Sequence, residues 1–283
     1  MPDFMQAVID PALPFLRYAL IAGALASLAF GVMGTFVVAR RISYIAGAVS
    51  HCVLGGIGAA MFFQHSFNIG WLHPMYGATF AAVLSAVVIG LVSLHSPQRE
   101  DTVIGATWAI GMAVGLLFLA RTPGYNDPMS YLFGNILLIS KADLILVAAL
   151  DIMVVAGGIY FYRNLLVVCF DEEFARLRGI NVDVYFMALL VMTSLTVVLL
   201  VRVVGIVLVI ALLTIPPAIA EYFTRKLWRI MILAAVFCLV FIIAGITTGY
   251  IWDLPPGPMI IVIAGAIYLI AAGVSAAVRK KIT

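Results

Sequence analysis

The chain has 283 residues, of which 65% are apolar and only 10% charged, with a mean hydropathy of +1.18, whereas soluble domains carry about 25% charged residues. No water-soluble fold of this size could hide that much apolar surface. The net charge of +3 comes from 16 basic residues scattered in twos and threes between apolar stretches, which excludes a nucleic-acid partner and leaves membrane lipid as the surrounding medium.

Residues 1–14 contain two acids and three prolines and lack the basic and short apolar regions of a cleaved signal. A flexible N-terminal stretch followed by a retained first span is expected. Apolar segments then run at 15–38, 44–63, 75–94, 103–120, 142–162, 183–201, 203–220, 230–249 and 258–278, each near the ~20 residues that cross about 30 Å of hydrocarbon. Residues 1–283 therefore read as one all-α transmembrane domain, a polytopic helical bundle of about nine spans. Segment 203–220 is the least regular: Gly205 closely follows Arg202, and Pro216-Pro217 remove two backbone donors, so a helix break at the prolines or a re-entrant element is expected.

Cationic residues are enriched on the cytoplasmic side of membrane proteins. With the N-terminus outside, Arg40, Arg41, Arg99, Arg163, Arg176, Arg178, Arg225, Lys226, Arg229, Arg279, Lys280 and Lys281 fall inside, and Arg17, Arg121, Lys141 and Arg202 outside. The chain is thus N-out and C-in. Its inner loops, roughly 163–182 and 221–229, are too short to be catalytic domains. No glycine precedes a lysine, which excludes a phosphate-binding GxxxxGK[ST] loop, and HExxH and nucleophile-elbow motifs are also absent. Cys52, Cys169 and Cys238 form no CxxC pair and read as small buried hydrophobes. Transport, with any ATP hydrolysis on another polypeptide, is the class that remains.

His51 stands eight residues into a span devoid of Asp, Glu, Lys and Arg, roughly 10–12 Å from its inner end at 1.5 Å per residue. Ionisable groups at that depth are expensive and usually functional. Gly47 and Gly55 share its face, with Gly58 close by and Ser50 adjoining, so another backbone, water or an ion can approach. A neutral imidazole can ligate a divalent transition metal, relay a proton or hydrogen-bond a neighbouring helix. Asp151 is the only acid deep within a span; it is either a structural carboxylate or a partner of His51 if the two helices are neighbours. His65, His73 and His95 lie at span ends, where wet interfacial roles suffice. Trp71 and Trp252 suit an aromatic belt. In the inner loop, Asp171, Glu172 and Glu173 precede Arg176 and Arg178, and Gly179 follows, an order that suits a short helix with a glycine C-cap.

Five stretches, taken in order, resemble one family. They are ISYIAGAVSHCVLGGIGAA at Ile42–Ala60, SYLFGNI at Ser130–Ile136, FDEEFARLRGI at Phe170–Ile180, VGIVLVIALLTIPPAIA at Val204–Ala220 and PPGPMIIV at Pro255–Val262. Together they resemble the membrane permeases of ABC-type importers for zinc, manganese and iron, the group served by cluster A-I binding proteins. The resemblance implies a vitamin-B12-importer-like permease fold in the bacterial plasma membrane, with a central path shared with a second permease copy or paralogue. It also implies cytoplasmic ATPase subunits, an external metal-binding protein, and no cofactor in this chain beyond the transported ion and the partner's ATP. A coupling helix to the ATPase would fall at about Ala218–Arg229, with Glu221, Arg225, Lys226 and Arg229 at the contact. The metal ligands would be His51 and Asp151, for zinc or manganese ahead of iron. Many members carry an acid one turn before the histidine, where this chain has Gly47, so Asp151 would supply the oxygen ligand. A proton-coupled secondary transporter using His51 and Asp151 is the alternative.

Overall fold

The computed structural model describes residues 6, 8, 10, 14–96, 100–123, 134 and 141–282, and each apolar segment is helical in it. Most of the expected flexible stretch 1–14, Arg99, and the family-like stretch 130–136 apart from Gly134 lie outside the described residues. The elements are α1 (Pro14–Ala39), α2 (Ser43–Ser66), α3 (Pro74–His95), α4 (Glu100–Arg121), α5 (Lys141–Tyr160), α6 (Tyr162–Phe170), α7 (Glu172–Leu177), α8 (Val182–Val204), α9 (Ile206–Ala220), α10 (Leu227–Trp252) and α11 (Pro256–Ile282). By length and apolar content α1, α2, α3, α4, α10 and α11 can each cross a membrane, and Val147–Tyr160 with Tyr162–Phe170 forms a pair bent by 67°. Val182–Val198 of α8 and all of α9 are shorter apolar helices. α9 is enclosed by α1, α2, α10 and α11, so it needs no lipid-facing length of its own.

α2 is the most enclosed of the long helices, with 83% of its most apolar window buried. Apolar helices gain nothing from hiding from lipid tails, so close van der Waals packing at small residues must hold them together. A Cβ added at Gly55 would come 2.7 Å from the Gly111 carbonyl oxygen, and one at Gly58 would come 2.5 Å from that of Gly115. On the other side of α2, Gly56 abuts the Gly77 carbonyl of α3. The paired positions His51–Trp108, Gly55–Gly111 and Gly58–Gly115 advance together, so α2 and α4 run parallel. Both were expected to run from the inner to the outer side.

The break in 203–220 lies at Gly205 rather than at the prolines. Gly205 has φ 82° and ψ 161°, a conformation open essentially to glycine alone. Pro216 and Pro217 sit inside a continuous α9. They fall in its last two turns, where each ring removes one amide donor. The carbonyl that Pro217 frees, that of Leu213, faces Gly34 of α1, and Pro217 Cγ would lie 3.1 Å from a Cβ there. The missing side chain at Gly34 lets the freed carbonyl pack against a helix surface instead of opening the helix.

The inner loop 163–182 folds into α6 and α7. The Asp171 carboxylate accepts the Phe174 amide at 2.9 Å, capping α7. Gly179 takes φ 74°, and the Ile180 amide donates to the Ala175 carbonyl at 3.0 Å, so the predicted glycine cap is present. Arg40 pairs with Glu172 and lies 5.3 Å over the Phe186 ring. The α1–α2 turn and α7, both assigned to the inner side from their charges, are therefore at one end of the bundle.

Gly55→Ala should cost about 1–3 kcal/mol through overpacking against the α4 backbone, because a carbonyl cannot move aside as a flexible side chain would. At Gly265 of α11 nothing lies within 4 Å of an added Cβ, so Gly265→Ala should be neutral or stabilising by up to about 1 kcal/mol. Thermal unfolding of the two variants in detergent checks the contrast, and equal melting temperatures would remove the glycine contacts from this account.

Candidate functional site

His51 is 9% exposed and its ring stacks on Trp108 of α4, with centroids 4.5 Å apart and planes 13° from parallel. Tyr44, nearly two turns earlier on α2, lies 6.0 Å from the same indole. The close approach at Gly111 and Gly115 brings α4 near enough for the stack to form. Sequence reasoning missed Trp108; a tryptophan six residues into span 103–120 was its only signal.

The polar groups beside the histidine are satisfied locally. Ser50 donates to the Ala46 carbonyl at 2.8 Å, and the Cys52 thiol donates to the Thr107 carbonyl at 3.1 Å. His51 Nδ1 is buried and has no hydrogen-bond partner among the described residues. An unmet buried polar atom costs about 1–3 kcal/mol, so this nitrogen is a polar group that the packing of α2 leaves uncompensated. A Cβ added at Gly47, one turn before His51, would make ordinary van der Waals contact with Ile210 Cδ1 at 4.0 Å, so this position tolerates a small side chain where Gly55, Gly56 and Gly58 do not.

Asp151 is buried on α5, where its Oδ1 accepts the backbone amide of Ala29, in the middle of α1, at 3.0 Å. Beside it is a space of about 10 Å³ lined by Ala29, Val147, Val154, Thr196 and Leu200, no larger than one water. The Thr196 hydroxyl is turned to its own helix, donating to the Met192 carbonyl at 2.8 Å. The two expected ligands are thus held by different partners: His51 by α4, Asp151 by α1. Among the described residues no group of three or more His, Cys, Asp or Glu side chains could hold a metal ion.

The expected coupling segment is not a helix. α9 ends at Ala220, residues 221–226 form a turn, and α10 starts at Leu227. The Phe223 and Thr224 amides both return to the Ala220 carbonyl, at 3.0 and 3.3 Å, which closes the turn and stops α9. Glu221, Arg225, Lys226 and Arg229 are all exposed on it, with Arg229 5.2 Å over the Trp228 ring. Tyr222, Phe223 and Trp228 are 45%, 68% and 48% exposed. This mixture of aromatic and basic side chains is typical of protein interfaces, and the aromatic half of it was not anticipated.

The other histidines lie at helix ends as foreseen. His73 and His95 are exposed, the first accepting the Met75 amide at 3.2 Å and the second 2.8 Å from the Leu91 carbonyl. His65 is exposed in the last turn of α2.

Residues 12–275 match the ABC 3 transport family. A protein named probable metal transport system membrane protein, from Chlamydia trachomatis, is 36% identical over 256 residues, covering 90% of this chain and 87% of that protein. The manganese transport system membrane protein MntC of Halalkalibacterium halodurans is 34% identical over 258 residues, covering 91% and 86%. Among solved structures, PsaBC from Streptococcus pneumoniae in complex with Fab superposes with a TM-score of 0.83 at 28% identity, covering 95% of this chain and 94% of that one.

The Asp151–Ala29 bond makes a definite distinction between substitutions. Asp151→Asn keeps an acceptor oxygen in place and should lose little stability. Asp151→Leu removes the acceptor that the Ala29 amide has outside its own helix, a loss of about 1 kcal/mol, and Asp151→Glu forces an extra methylene into a space that cannot take it, costing about 1–3 kcal/mol. Yield and melting temperature of the purified variants would test this order; a loss confined to Asn would show that the charge, and not the acceptor, is what matters.

Proposed function

The chain belongs to the ABC 3 transport family, and from that premise we propose that it is the membrane-spanning permease of an ATP-driven importer that carries a divalent transition metal ion, manganese first, into the cytoplasm. It works as a multi-pass protein of the bacterial plasma membrane and is not itself an enzyme. Its partners in this reading are cytoplasmic ATPase subunits, an external metal-binding protein and a second permease copy or paralogue.

The observation that carries the reading is His51: a buried imidazole with an unpartnered nitrogen, in a helix otherwise free of charge, one turn from Gly47. An ion reaching the ring edge would complete the imidazole's coordination. Cys52, the nearest thiol, is directed to the Thr107 carbonyl, so no soft sulfur ligand accompanies the histidine, and nitrogen with oxygen or water suits manganese or zinc better than copper(I). The relative named for manganese transport supports manganese over zinc and iron. Asp151, engaged by Ala29, serves in this reading to join α5 to α1, and the remaining oxygen ligands of the ion would come from water or from the partner permease.

The turn at 221–226 is the surface we assign to the ATPase. It is exposed, basic and aromatic, and α9 leads from it to Ile210, the side chain that packs beside Gly47 of α2. Movement of the turn could thus reach the path along one short helix.

His51→Ala should lower manganese uptake at limiting metal by about tenfold or more, the scale of losing a metal-site group, with insertion and assembly intact; wild-type uptake by this variant would remove His51 from the path. Reversing charge at Glu221, Arg225 and Arg229 should weaken ATPase docking and lower metal-stimulated ATP hydrolysis by the reconstituted complex, while the permease still folds. Uptake into vesicles with and without ATP on the cytoplasmic side decides the class. Uptake that ignores ATP and collapses with a protonophore would establish a proton-coupled carrier in place of this reading.

A further inference from the structure

We propose that Trp108 is a positioning residue for metal transfer, holding the His51 imidazole in a fixed plane so that its ring edge, with no hydrogen-bond partner at Nδ1, is kept for the ion. This rests on the reading of His51 as a metal contact. Ligating histidines are ordinarily oriented by a hydrogen bond from the second ring nitrogen to a carboxylate or carbonyl. Nδ1 of His51 has no such bond, and the Ser50 and Cys52 side chains beside it are committed to Ala46 and Thr107. What fixes the ring instead is the indole, lying 4.5 Å away and 13° from parallel.

The chemistry of that arrangement is specific. Imidazole lone pairs lie in the ring plane, so an ion must approach the ring edge. A hydrogen-bonding neighbour at Nδ1 would occupy part of that edge, whereas a parallel indole covers only a face and takes no position on the edge. The indole is itself constrained. Cβ atoms built at Gly111 and Gly115 would lie 2.8 Å from Cys52 Cα and 2.7 Å from the Leu54 carbonyl carbon, which sets the spacing of α4 from α2, and Tyr44 lies 6.0 Å from the indole. An ion can therefore be bound and released at His51 without first breaking a hydrogen bond, as transport requires.

The test uses the assembled transporter with its external binding protein, labelled with 5-fluorotryptophan at its four tryptophans; loss of a fluorine resonance in Trp108→Phe identifies the Trp108 signal. Manganese chloride should broaden that signal selectively through its unpaired electrons, magnesium chloride should not, and His51→Ala should abolish the effect. In uptake, Trp108→Phe should keep a KM near the wild type because a ring face remains, while Trp108→Leu should raise KM about tenfold with a smaller change in kcat. If Trp108→Leu fails to assemble, the fluorine signal of the wild type still decides. Absence of manganese broadening in a preparation that imports manganese, or broadening that survives His51→Ala, would overturn the positioning role and leave the importer reading standing. Failure of the wild type to import any divalent metal would overturn the importer reading and this inference with it.

Discussion

The structure depends on the contact of backbone with backbone at the two sides of α2. In lipid, burying a leucine between helices gains little over leaving it among acyl chains, so helices must come close enough for dispersion to accumulate along their length. Glycines at 55 and 58 admit the carbonyls of Gly111 and Gly115, and Gly56 admits that of Gly77. The same principle recurs where Gly31 of α1 meets the α10 backbone, a Cβ there falling 2.8 Å from the Met231 carbonyl oxygen, and where Gly34 meets α9. α1 and α2, the two helices richest in these contacts, form the centre to which the rest attach.

A second constraint is the satisfaction of polar groups without water. Eight buried hydroxyls, those of Ser27, Thr35, Ser50, Ser85, Thr122, Thr193, Ser194 and Thr196, each donate to a carbonyl one turn back on their own helix. Their hydrogens are therefore satisfied without water, each within its own stretch of chain. Asp151 is satisfied by Ala29 across a helix interface. Two buried nitrogens lack a partner among the described residues, Arg17 Nε near the N-terminal end of α1 and His51 Nδ1 deep in α2, and the second is the one on which the proposed role of His51 rests.

α9 joins the two places where function is assigned. Gly205 frees its N-terminal end from α8 by a backbone conformation that a side chain would resist, the Ala220 turn stops its C-terminal end, and Ile210 between them packs beside Gly47. Packing against Gly34 keeps the helix with α1 although its prolines leave carbonyls without amide donors.

The sequence by itself determined the membrane environment, the apolar segments that became helices, the cap at Asp171 and Gly179, and His51 as the conspicuous ionisable group. All of these are local properties: hydropathy, capping and the cost of a charge in lipid act within one segment and can be read along the chain. Only the tertiary structure decided which helices meet. His51 and Asp151 looked alike as mid-span ionisable groups, yet one faces an indole and keeps a free nitrogen while the other accepts an amide of α1, because α2 packs on α4 and α5 packs on α1. Pro216-Pro217 was read as a break since donor loss is a local fact. The continuity of α9 rests on a freed carbonyl finding space at Gly34, 179 positions away from Leu213 in the chain, and no pattern within the segment encodes such a pairing.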